Sequence, residues 1–87
     1  MPGRVHANPD DLKRLRQTID RAQREIAQAV QSMKLGLART DWDDAGRRKF
    51  EERLDQTVAS IRRFDQAASE LKPYLDRKAR ELEAYLR

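Results

Sequence analysis

An 87-residue chain with 38% hydrophobic and 39% charged residues and a mean hydropathy of -1.00 has room for one small domain and too little apolar material for a large core. Cysteine is absent, which excludes a disulfide framework, a thiolate nucleophile and a cysteine-based metal site. No apolar run approaches the roughly 20 residues of a membrane span, so no stable membrane insertion is expected.

Residues 1–8 hold Pro2 and Gly3 and no periodic apolar residue, and predict a flexible tail. The only histidine, His6, falls there, with no further ligands to converge on a metal; neither metal nor cofactor is expected. The tail also lacks the apolar core of a secretory signal, so the expected location is cytoplasmic, or secreted without a cleaved signal peptide.

The helical hairpin domain is expected over 9–87. Its first helix, over about 9–38, has Asn8 as N-cap, Pro9 at the first helical position and Asp10 and Asp11 opposing the positive end of the dipole. Leu12, Leu15, Ile19, Ala22, Ile26, Ala29 and Met33 recur at steps of three and four, and Val30 and Leu37 widen the stripe. Gly36 and the polar run that follows predict a turn at about 39–43, with Thr40 or Asp41 capping the second helix.

That second helix, over about 44–86, places Phe50, Leu54, Val58, Ile61, Phe64, Ala68, Leu71 and Leu75 on one face, continued by Leu82, Tyr85 and Leu86. Pro73 has no amide hydrogen and predicts a kink or restart. The fold class is therefore all-α, an antiparallel two-helix hairpin with coiled-coil-like packing. The charge layout agrees: residues 9–39 carry seven basic and four acidic groups, residues 40–71 six basic and eight acidic.

Folding the chain about Trp42 sets opposite one another residues whose numbers sum to roughly 84, given equal helical rise on both sides. Ala22 then faces Ile61 and Phe64, Ala29 faces Leu54, and Met33 faces Phe50. The same register leaves residues 76–87 as an overhang of about 18 Å. Leu82, Tyr85 and Leu86 would lie there without a partner inside the hairpin, free to dock on a second subunit. Two helices of this size bury little surface alone, so a partner hairpin is expected, pairing into a four-helix bundle. Interface residues are then Leu12, Leu15, Ile19, Ile26, Val30, Leu54, Val58, Ile61, Phe64, Leu71, Leu75, Leu82, Tyr85 and Leu86.

Trp42, the only tryptophan, stands in the turn eight residues before Phe50, about two helical turns, which lets both rings share one side of the hairpin end. It reads as a hydrophobic plug for the turn or as a recognition element. Asp43 with Asp44 and Glu51 with Glu52 are neighbours that point about 100° apart, with no apolar pocket to separate their pKa values; they read as solvated charges, not an acid–base pair. The clusters Lys13, Arg14, Arg16 and Arg47, Arg48, Lys49 are interrupted by acids and accompany no nucleic-acid motif. Neither catalysis nor nucleic-acid binding is expected.

The stretch Asp41-Trp42-Asp43-Asp44-Ala45-Gly46-Arg47-Arg48-Lys49-Phe50-Glu51-Glu52, flanked by two long amphipathic helices, resembles the WXG-motif helical-hairpin family, the early-secreted-antigen-like proteins of type VII secretion. The resemblance extends from Val5 to Tyr85, with Trp42, Gly46 and Phe50 as the turn motif. It implies a homodimer or heterodimer with a similar hairpin. It also implies export without a cleaved signal, or service as helper to a larger secreted partner such as a toxin. Two features depart from the family pattern. Gly46 stands two positions beyond the motif glycine, and Tyr74 is followed four residues on by Lys78 where the export signal has an acid. The rival reading is a cytoplasmic coiled-coil adaptor unrelated to secretion.

Overall fold

A computed structural model describes residues 7–86. The expected tail lies outside the described residues except for Ala7 and Asn8, and so does His6. Two helices, α1 (Pro9–Ala38) and α2 (Ala45–Tyr85), fold back on each other as an all-α hairpin of 64 × 21 × 17 Å. Asn8 caps α1, its side-chain oxygen accepting from the Asp10 amide at 2.8 Å, and the Arg39 amide closes the far end on the Leu35 carbonyl.

Asp44, rather than Thr40 or Asp41, caps α2. Thr40 instead donates its hydroxyl to the Gly36 carbonyl at 2.7 Å, finishing α1. α2 does not restart at Pro73 but runs unbroken to Tyr85. The ring lies on an exposed side of the helix, as does Ser69, whose carbonyl is the one that loses its helical donor to the proline.

The side chains that face each other recur at alternating steps of four and three. On α2 they are Arg47, Glu51, Leu54, Val58, Ile61, Asp65, Ala68, Lys72, Leu75, Ala79 and Leu82; on α1 they are Leu12, Arg16, Ile19, Gln23, Ile26 and Val30, followed past the exposed Met33 by Leu37. This is the 3.5-residue repeat of left-handed packing. Val58, Ala68, Ala79 and Leu82 are the most buried of these and form the core.

The register differs from the expected one in two respects. Along α1 the seam takes Arg16, Gln23 and Val30, and leaves Leu15, Ala22, Ala29 and Met33 exposed beside it. Ala22 and Ala29 thus do not sit under Ile61, Phe64 or Leu54. Along α2 the facing residues lie about one to three helical turns further on than equal rise from Trp42 would put them: Gln23 meets Asp65, Asp20 meets Lys72, and Lys13 meets Glu83. Part of this comes from side-chain lean. Every helical side chain tilts toward its own N-terminus, so in an antiparallel pair each contact falls C-terminal of the level point on both helices.

The consequence is that the overhang disappears. Leu82 is 3% exposed within the single hairpin, and the Lys13–Glu83 and Arg16–Asp76 pairs hold the first turns of α1 alongside it. Leu82 and Val58 are therefore consumed by the hairpin and unavailable to a second subunit. Only the last residues, Tyr85 at 64% and Leu86 at 60% exposure, project as the overhang was expected to.

Candidate interaction face

The seam divides the surface into two flanks of opposite character. On one flank the open half of the hairpin is laced by polar pairs. Arg16 Nε lies 2.9 Å from Asp76, Arg16 Nη1 2.8 Å from Asp20, and Lys72 Nζ 2.8 Å from Asp20, with Lys13–Glu83 beyond them. The Gln23 amide donates to the Asp65 carbonyl, the Asp65 carboxylate and the Ser69 hydroxyl, all within 3.1 Å. The hydrogen bond from Lys72, aided by the nearby charges of Arg16 and Arg24, holds Asp20 below the usual carboxylate range against a smaller opposing effect of burial. In the same way Glu83 raises Lys13, and Asp76 raises Arg16.

The other flank is dry. Beside the seam, at steps of seven, α2 presents Phe50, Thr57, Phe64 and Leu71, and α1 presents Leu15, Ala22 and Ala29. Steps of seven keep a residue on one side of a 3.5-repeat seam along its whole length. Phe64 and Leu71 are 59% and 54% exposed, and Leu15, Met33 and Phe50 are exposed with them. Between the two lines lies a shallow apolar groove walled by Ile26, Ala29, Val30 and Met33 on α1 and by Thr57, Ile61 and Phe64 on α2. Both walls mix large and small side chains, with Ala29 the smallest on α1 and Phe64 the largest on α2.

At the turn the dry flank ends on Trp42. Its ring stands against Phe50, centroids 5.6 Å apart and planes tilted by 51°, within the range at which aromatic pairs attract. The indole Nε1 donates to Asp44 Oδ1 at 2.8 Å, and the same oxygen accepts the Gly46 and Arg47 amides at 2.8 and 3.2 Å. A Cβ at Gly46 would stand 3.0 Å from that oxygen and 3.3 Å from the indole, so any other residue here makes the cap or the ring give way by a few tenths of an ångström. The turn motif Trp42, Gly46 and Phe50 thus forms one cluster.

Sequence reasoning missed Arg47. Its guanidinium donates to the Trp42, Thr40 and Leu37 carbonyls at 2.9 to 3.3 Å and to Glu51 at 2.7 Å, satisfying acceptors that the end of α1 leaves open. The only hint in the sequence was a basic residue four before an acid on a helix, the common spacing of a surface ion pair.

Of the remaining expected interface residues, Leu12, Ile19, Ile26, Val30, Leu54, Ile61 and Leu75 are half-buried in the seam, whereas Leu15, Phe64, Leu71, Tyr85 and Leu86 are exposed. Among the described residues no helix is long and apolar enough to cross a membrane, and no three metal-ligating side chains cluster. Comparison of the chain with family models, with curated proteins and with solved structures finds no match.

Proposed function

We propose that this chain is an interaction protein of the WXG-like class, acting through its dry flank on another helical hairpin to close a four-helix bundle. The observation that carries the reading is the apolar flank: Leu15, Ala22, Ala29 and Met33 beside Phe50, Phe64 and Leu71, with Thr57 among them, all exposed on one side of a hairpin whose other flank carries the ion pairs. Monomeric proteins seldom expose contiguous apolar surface on this scale unless something covers it.

The partner is a copy of this chain or a similar hairpin, and the resemblance of the turn to type VII secretion proteins gives the setting: an exported substrate, or a helper of a larger secreted partner. Sedimentation of the purified chain tests the pairing. Phe64→Glu and Leu71→Glu should abolish association while leaving the helical circular dichroism intact, because neither side chain is buried inside the hairpin. Association that survives both charges would refute the dry flank as the site. Appearance of the tagged protein in the medium, dependent on a membrane-bound secretion ATPase, tests the setting; an adaptor confined to the cytoplasm is the reading that Tyr74 and Lys78 favour.

A further inference from the structure

Independently of the dry flank, we infer that the turn half of the opposite flank is a second docking groove, and that its occupant is an acidic amphipathic helix of a partner protein. Side chains on this flank recur at steps of seven, and the Lys13–Glu83 pair fixes which of them face. Counting sevens from that pair along both helices sets Asp20 opposite Asp76, Ala27 opposite Ser69, and Lys34 opposite Arg62.

Two of these rungs match like charges. Asp20 and Asp76 share Arg16 between them, and Lys72 closes on Asp20 from the seam, so that rung is neutralised inside the hairpin. Lys34 and Arg62 have no anion between them. Both line one groove, and neither makes an ion pair or a hydrogen bond among the described residues. The acid in that groove, Asp65, is held by the Gln23 amide at 2.9 Å. Facing cations repel, so an outside carboxylate that settles between them removes a repulsion as well as forming two attractions.

Beneath the two cations the floor is apolar. Ile26, Val30, Val58 and Ile61 line it, leaving about 260 Å³ open to solvent. An enclosed small-molecule site has more, roughly 300–1,000 Å³. The groove is long instead, continuing past Lys34 into a depression walled by Leu37, Leu54 and Asp55. Gln23 to Ala38 spans about 22 Å, or about four turns of helix. A helix of that length, with an apolar stripe on the floor and acids on both sides of the stripe at its middle, meets Lys34 and Arg62 together. Asp55, seven residues nearer the turn than Arg62, confines the acids to the middle, because an acid at the turn end would meet it.

The test uses the full chain and a fluorescein-labelled, stapled helical peptide of about four turns, with leucines at steps of three and four and glutamates on both sides of the stripe at its middle. Anisotropy should report saturable binding, weakened about tenfold when glutamine replaces the glutamates or when the chain carries Lys34→Gln and Arg62→Gln together. Both side chains are exposed, so that double variant should keep its helical circular dichroism. Phe64→Glu, on the other flank, should bind the peptide as tightly as the unaltered chain. Binding lost in Phe64→Glu and kept in the double variant would seat the peptide on the dry flank and overturn the second groove. Equal affinity for the glutamate and glutamine peptides, or no saturable binding, overturns it as well. Phosphatidylglycerol vesicles that displace the peptide, and that fail to bind the double variant, would make a lipid surface the occupant and overturn the helix. Self-association is read by sedimentation without peptide, so either surface can fail alone.

Discussion

One oxygen of Asp44 closes the turn. Asp44 Oδ1 caps two amides at the start of α2 and receives the indole hydrogen of Trp42, so the carboxylate positions the ring that ends the dry flank. Asp44→Ala should cost about 1–2 kcal/mol, the usual loss on removing an N-cap, and lower Tm by several degrees, with a red shift of Trp42 fluorescence as the indole moves. Asp44→Asn keeps an acceptor in place and should lose distinctly less; equal loss in both variants would mean the oxygen is not the cap. Gly46→Ala gains helix propensity but drives a methyl against Asp44 Oδ1, so the expected net effect is a small destabilisation with the same fluorescence signature. The pairing of Trp42 with Phe50 was legible from an eight-residue spacing. The cap at Asp44 was harder to place, because Thr40, Asp41, Asp43 and Asp44 all carry capping side chains and only the path of the turn selects among them. Arg47 was beyond reach for the same reason, since its acceptors are carbonyls with no sequence signature.

Between the helices, the polar half of the seam is the part that pattern reading could not supply. Apolar periodicity in α1 fits two overlapping lines equally well: Leu12, Ile19 and Ile26 belong to both, and the choice lies between Leu15, Ala22, Ala29 and Arg16, Gln23, Val30. Hydrophobicity selects the first line. The structure selects the second because α2 sets Asp65, Lys72 and Asp76 where Gln23, Asp20 and Arg16 can use them, while the stems of these long side chains cover apolar neighbours. No single helix carries that information. The ladder has a measurable consequence. Asp20 binds its proton less readily in the folded hairpin than in the unfolded chain, so its contribution is present at neutral pH and is lost as pH falls through the aspartate range, below about pH 4. Thermal melts should show Tm declining over that window. Asp20→Asn should lower Tm at pH 7 and make the acid decline shallower; an unchanged slope would remove Asp20 from the ladder's pH response.

At the scale of the whole molecule, the existence of two long antiparallel helices was legible because their periodic stripes are long and well capped, and an apolar excess beyond what two helices cover was expected from the width of those stripes. The location of the excess was not legible: it lies along Phe50, Phe64 and Leu71 rather than at the C-terminal end, because α1 reaches as far as Glu83 and shelters Leu82. An apolar contact face predicts a particular salt response. Raising sodium chloride from about 0.1 to 1 M shortens electrostatic range from roughly 10 to 3 Å, yet the dissociation constant measured by sedimentation should change by no more than about threefold. A steep weakening would show that the charged flank carries the contact. The gathering of Leu15, Met33, Phe50, Phe64 and Leu71 along a single long side, with Leu35 and Tyr74 exposed elsewhere, has a final effect. A rod whose adhesive residues lie mainly along one side uses up that side in a closed pair, so repeating the same contact does not build a fibre.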